Sequence, residues 1–332
     1  VTMPPSGPVF SRPPGLLASY ARALRPQRAS IGRALPARTL RLSRVPHEPA
    51  RLRRYAALCG FPDPTAGPLP VTYPHLFAFP LTMRLLTARD FPHPALGLVH
   101  LADAIERSRP LAPDEELSVA VHAEAAEPHP RGTAFAVVAE VRDADGAAVW
   151  RSTSTYLRRG RADAPHAGAE GGERAGSRAR RASAEHAGAE GGAAGSGRAG
   201  PGGRGGPASS AGEVDGNAPT VTECWSLPAD LGRRYARVSG DRNPIHLHPL
   251  TARPFGFRRP IAHGMWTTAR ALAALDEVLP ESFAVNVRFR APAELPSRPT
   301  FHAAPTADGG HAFGLTAATG RTLLTGEITP CP

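Results

Sequence analysis

The chain contains no lysine: all 39 of its basic side chains are arginine. A formal net charge of +10 and a pI near 10.7 would by themselves suggest nucleic-acid binding. The arginine-only usage reads instead as a compositional bias, and aromatics make up only 6% of the residues. No basic stretch is interleaved with aromatic side chains, so the stacking surface that single strands need is missing. A nucleic-acid partner is set aside. Cysteine is scarce as well. Cys59, Cys224 and Cys331 form no Cys-x-x-Cys pair and are odd in number, which excludes a disulfide framework and fits a reducing cytoplasm. No run approaches the roughly 18 apolar residues of a membrane helix. No Gly-x-Gly-x-x-Gly loop follows a strand pattern, so no dinucleotide cofactor is implied.

Glycine (34) and proline (37) are abundant in this chain of 332 residues, which is long enough for two ordinary domains. Residues 161–219 hold nearly nothing but Gly, Ala, Ser, Arg and Glu, without Leu, Ile or Phe, and cannot bury a core. His166-Ala-Gly-Ala-Glu-Gly-Gly172 recurs there as His186–Gly192. This segment is expected to be a disordered linker. The first 47 residues carry eight arginines and no acidic side chain. That composition is also met in organellar transit peptides. The expectation adopted for residues 1–45 is a basic, flexible extension.

The linker separates two stretches, 46–160 and 220–332, that read alike. Tyr55-Ala-Ala-Leu-Cys-Gly-Phe61 lines up with Tyr235-Ala-Arg-Val-Ser-Gly-Asp241. Leu98-Val-His-Leu101 is placed opposite Ile261-Ala-His-Gly264, each ahead of an Ala/Leu helix. Alternating runs follow in both stretches, among them 117–123, 133–141 and 147–157, then 282–289, 300–304, 312–319 and 322–329. Asp143-Ala-Asp-Gly146 marks a hairpin turn. A helix followed by antiparallel strands, twice over, predicts an α+β duplicated fold.

The chemistry concentrates in Tyr235-Ala-Arg-Val-Ser-Gly-Asp-Arg-Asn-Pro-Ile-His246 and in Ile261-Ala-His-Gly-Met265. The ring of Pro244 fixes its own φ and biases Asn243 away from the helical region. Asp241 and His246 can then project from a rigid turn toward one water, as an acid/base pair operating near neutral pH. A metal site built from Asp241, His246, His248 and His263 is the competing reading of these side chains.

Together with Ala252, Gly256 and Phe257, these positions resemble the hydratase-2 signature of the MaoC-like dehydratases. The resemblance covers roughly the last third of the chain and accounts for Asp241 and His246 without a metal. It implies a double hot-dog fold, two repeats each with an antiparallel sheet wrapped around a central helix. It also implies reversible hydration of trans-2-enoyl thioesters to (R)-3-hydroxyacyl thioesters by syn addition. Asp241 and His246 would activate the water, and the Gly264 amide would face the thioester oxygen at a helix N-terminus. Asn243, Pro244, Ser239 and His263 would support the site. Arg258, Arg259, Phe257 and Met265 are candidates for contact with the substrate. No cofactor is expected beyond the coenzyme A or carrier phosphopantetheine of the substrate itself.

The first stretch has Phe61 at the aspartate position and no histidine in the segment that follows, so it is expected to be non-catalytic. His75 and His100 are read as structural or pocket residues, and Pro74–Pro80 as lining for an acyl tail. The protein is expected to be a monomeric pseudo-dimer or a homodimer. A non-catalytic module that binds acyl thioesters or scaffolds a partner is the rival function. A dehydratase acting on acyl carrier protein is the close variant, and a thioesterase fits less well because hot-dog thioesterases lack the Asn-Pro-x-His arrangement.

Overall fold

The computed structural model describes residues 6–25, 34–65, 67–160 and 221–331. The expected linker, 161–219, lies outside the described residues. In chain order the elements are β1 (Ser6–Phe10), α1 (Leu16–Ala23), β2 (Thr39–Leu42), α2 (Pro49–Cys59) and α3 (Pro74–Leu86). Strands β3 (Val99–Arg107), β4 (Ser118–His129), β5 (Gly132–Arg142) and β6 (Ala148–Arg159) complete the first half. The second half has β7 (Val221–Cys224), α4 (Leu231–Ser239), α5 (Pro249–Ala252) and α6 (Gly264–Ala273). It ends with β8 (Phe283–Phe289), β9 (Thr300–Pro305), β10 (His311–Thr316) and β11 (Thr322–Pro330).

Eleven strands form one sheet in the order β1-β2-β4-β5-β6-β3-β8-β11-β10-β9-β7. Read outward from the β3–β8 seam, β3-β6-β5-β4-β2 mirrors β8-β11-β10-β9-β7. The seam is antiparallel, running from Ala102 opposite Arg288 to Arg107 opposite Phe283. The two sheets therefore join side by side, as the double hot-dog expectation requires. Helices α3 and α6 are the central helices. Both bury side chains around most of their circumference, including Leu76, Leu81 and Leu85 on α3 and Met265, Trp266 and Leu272 on α6. A helix that is apolar all round needs a sheet wrapped about it.

Two expectations are corrected here. The helix anticipated after Leu98–Leu101 is strand β3, in which Asp103, Ile105 and Arg107 are buried at every second position. The central helix of the first half lies earlier, at Pro74–Leu86, and Tyr73 caps its start where His263 caps α6. Proline at the first helical position is compatible with a helix start, because that N–H has no intrahelical partner. The extension expected to be flexible over 1–45 instead supplies β1, α1 and β2. Leu40 and Leu42 are buried, and β2 pairs with β4 at the position that β7 takes beside β9 in the second half. High arginine content masked a short strand with only two core side chains.

The correspondence between α2 and α4 is sound. Each ends on a glycine in the left-handed region, Gly60 (φ 87°) and Gly240 (φ 84°), so both need glycine there. Tyr55 and Tyr235 occupy matching helix positions, with ring centroids 6.2 Å apart. The Asp143–Gly146 hairpin turn is present, with Gly146 at φ 82°.

Candidate active site

Asp241 follows the helix-ending Gly240 and sits on a turn held at several points. Its N–H donates to Ser239 Oγ (3.1 Å), and its Oδ1 accepts the Asn243 N–H (3.0 Å). Its backbone oxygen faces His263 Nε2 at 3.1 Å. Asn243 is extended (φ −55°, ψ 125°), as a residue before proline prefers, and its side-chain N–H reaches the Leu98 oxygen at 3.4 Å. Pro244 then opens a single 3-10 turn that carries His246. The buried ring of His246 places Nδ1 2.8 Å from the Ile261 carbonyl. A carbonyl only accepts, so Nδ1 bears the proton and Nε2 keeps its lone pair. Burial lowers the pKa of His246, opposed by the Asp241 charge and the Ile261 bond, and leaves the ring neutral at pH 7.

Gly232 permits this closeness, although the motif does not include it. A Cβ on Gly232 would lie 1.9 Å from the His246 carbonyl oxygen, so only a bare helix backbone lets the histidine turn pack onto α4.

His263 stacks on His246 with centroids 3.7 Å apart and planes 25° apart. Burial first, then the neighbouring His246, push its pKa well below the usual imidazole range. One donor atom each from Asp241, His246 and His263 lies within 4.8 Å of the others, the geometry on which a metal reading would rest. Two nitrogens of this set already face carbonyls, and the stacked rings are nearly parallel. His248 is apart from the cluster, exposed, with Nδ1 accepting the Leu250 N–H at 3.2 Å. With one nitrogen of each ring on a carbonyl, His246 Nε2 and His263 Nδ1 keep their lone pairs.

Gly264 is the first residue of α6, so the first amides of this helix, its own included, lack intrahelical acceptors. A Cβ here would sit 2.8 Å from Phe289 Cζ, which makes glycine a steric requirement as well.

These groups border a cavity of about 140 Å³ to which both halves contribute. Asp241, His246, Gly264 and Met265 line it from the second half, and His75, Phe79, His100 and Tyr156 from the first. His75 and His100 are thus pocket residues. Burial lowers their pKa values to about 4 and about 3, so both are neutral. Pro74–Pro80 forms part of the central helix, and only His75, Leu76 and Phe79 of that run reach the cavity.

Three of the residues expected to contact the substrate lie off the cavity wall. Phe257 does not line the cavity but packs with Ile245, Ala252 and Ile261 beneath the Arg159 guanidinium, 4.9 Å from its ring centroid. Arg258 and Arg259 are exposed and also lie off the cavity wall. Arg131, Arg159 and Arg290 border it instead. In a chain whose every basic residue is arginine, nothing in the sequence marks those three. Asp63 in the first half only closes its own turn, accepting the Thr65 N–H at 3.0 Å.

Two hot-dog halves fused through one sheet, with an Asp-x-Asn-Pro-x-His turn facing a helix N-terminus in the second half, define the class. The chain belongs to the MaoC-like dehydratase family. The family model for the MaoC like domain matches residues 212–298. The chain is 32% identical over 276 residues to 3-hydroxyacyl-thioester dehydratase X of Mycobacterium tuberculosis, with 83% of each chain covered. The crystal structure of HtdX from that organism superposes with a TM-score of 0.67 at 28% identity, covering 89% of this chain and 100% of that one. A MaoC-like dehydratase from Phytophthora capsici shares the fold, with a TM-score of 0.59 at 18% identity over 88% of this chain and 94% of that one. Among the described residues no helix is long and apolar enough to cross a membrane.

Proposed function

We propose that the protein is a hydro-lyase that interconverts trans-2-enoyl thioesters and (R)-3-hydroxyacyl thioesters at the Asp241/His246 site. The observation that carries this reading is His246, its Nδ1 2.8 Å from the Ile261 carbonyl, beside Asp241 in a cavity that ends at the α6 N-terminus. The name of the mycobacterial relative, a 3-hydroxyacyl-thioester dehydratase, agrees with it.

In the hydration direction, a water held between the Asp241 carboxylate and His246 Nε2 attacks the β-carbon. The proton that the pair removes from the water is returned to the α-carbon on the same face. The two groups titrate as one unit, so the proton is assigned to the pair. Negative charge that develops on the thioester oxygen meets the first amides of α6. Loss of one such donor typically costs about 3 kcal/mol of transition-state stabilisation. The first half closes the acyl pocket with α3 and β6 and carries no acid/base pair of its own, because Phe61 stands where Asp241 stands in the second. Coenzyme A and acyl carrier protein present the same phosphopantetheine thioester, and either can deliver the acyl group to this cavity.

The test is hydration of a short trans-2-enoyl-coenzyme A, followed by loss of conjugated-thioester absorbance, with Asp241→Asn alongside. Turnover in the parent and its loss in an equally folded variant is the expected result. Acyl-thioester binding without turnover on coenzyme A and carrier substrates alike would instead favour a binding module.

A further inference from the structure

One side chain far from the motif in sequence grips the catalytic turn. Tyr20, half-buried on α1, accepts the Arg242 N–H at 2.6 Å and donates to the Gly240 carbonyl at 3.1 Å. A single hydroxyl thus bonds main-chain groups on both sides of Asp241. Burial first and the Asp241 charge next raise the pKa of this hydroxyl, so it keeps the proton it donates. Leu16, one helical turn earlier, completes the contact. A Cβ on Gly240 would lie 2.4 Å from Leu16 Cδ1, so α1 rests directly on the bare backbone that leads into Asp241.

The other ties on Asp241 come from its own half: Ser239 Oγ takes its N–H, and His263 faces its carbonyl. They hold the residue's own peptide groups. Each of these two planes has its other polar atom, Gly240 C=O or Arg242 N–H, held from α1. A planar peptide bonded at one polar atom can still tilt about that bond, and holding its C=O and its N–H together fixes the plane and with it the direction in which the Asp241 side chain leaves the backbone. Misplacing a reacting group by about 1 Å can cost about a hundredfold in rate.

We propose that Tyr20 is a positioning residue for the reaction, its hydroxyl fixing the Gly240–Arg242 backbone so that the Asp241 carboxylate meets the same water as His246. The segment ahead of the first hot-dog core is therefore part of the catalytic unit. This rests on the reading of Asp241 given above, and the experiment separates the two.

Tyr20→Phe, Asp241→Asn and Leu17→Ala are prepared in the full chain, and kcat, KM and Tm are measured with a trans-2-enoyl-coenzyme A. Leu17 is the exposed neighbour on α1 and controls for damage to the helix. Tyr20→Phe keeps the ring and removes only the hydroxyl. The expected result is a kcat reduced about ten- to a hundredfold, with KM within about twofold and Tm close to the parent, while Leu17→Ala matches the parent throughout. A Tyr20→Phe enzyme with parental kcat overturns the proposal. So does a rise in KM that matches the loss of kcat together with a large fall in Tm, which would mean that α1 merely holds the fold. If Asp241→Asn retains turnover, the catalytic reading fails first. If it is inactive while Tyr20→Phe is fully active, only the role of Tyr20 fails.

Discussion

Asp103 tests the electrostatics of the fold without touching the active turn. It lies on β3 at the seam between the halves, 1% exposed, opposite Val287 of β8. Its Oδ1 accepts from Ser152 Oγ (2.9 Å) and Ser154 Oγ (2.8 Å), and its Oδ2 has no partner among the described residues. Burial pushes its pKa up to about 7, against the pull of the two serine bonds. An unfolded aspartate titrates near 3.9. Between those two values the folded chain holds a proton that the unfolded chain has lost. Stability must therefore fall as pH rises from about 4 to about 7 and level off above. Each pH unit in that window is worth about 1.4 kcal/mol, so the change from pH 5.5 to pH 8.5 removes about 2 kcal/mol. For a chain of this size that corresponds to about 3–4 °C in Tm. Asp103→Asn keeps the acceptor for both serines and cannot ionise. Thermal unfolding of parent and variant at both pH values, at equal ionic strength, should show the variant gaining that margin as pH rises. Other titrating groups cancel between the two proteins. An offset that stays the same at both pH values would refute the reasoning.

Gly264→Ala drives a Cβ against the Phe289 ring and crowds the α6 amides, so kcat/KM should fall by about a hundredfold or more in enoyl-thioester hydration. Gly232→Ala meets the His246 carbonyl and should displace the histidine turn, lowering both Tm and kcat, read by thermal unfolding and steady-state rates. Since burial lowers the pKa of His246, the pair should keep its proton-accepting form below the ordinary imidazole value of about 6.5. The acidic limb of the kcat/KM profile should then fall below pH 6.5, and a midpoint above it would contradict the neutral-ring geometry.

The second half was readable because its constraints are local. A proline fixing a turn, a glycine ending a helix and a glycine opening another leave their marks within about thirty residues of chain. The duplication was legible for the same reason in Tyr55–Phe61, where a helix and its left-handed terminator recur. What escaped depends on distance. Tyr20 approaches the Asp241 turn across 220 residues, and nothing beside it in sequence announces that contact. The stretch after Leu101 read as helix because its alanines suit either structure, and pairing with β6 and β8 on both sides decided the outcome. Phe257 and the Arg258–Arg259 pair lie next to the motif in sequence but off the cavity wall, Phe257 in a small cluster of its own and the two arginines exposed.

The seam between β3 and β8 also bears on how such a protein can change. When two hot-dog units meet as separate chains, every substitution appears on both sides of the interface at once. Here each side has its own coding sequence, so one half can give up its acid while its neighbour keeps one. Because both partners belong to one chain, dilution cannot part them and the junction need not be tight enough to assemble free subunits. A carboxyl as unfavourable as Asp103 can persist at such a joint, since tethering supplies what affinity would otherwise have to provide.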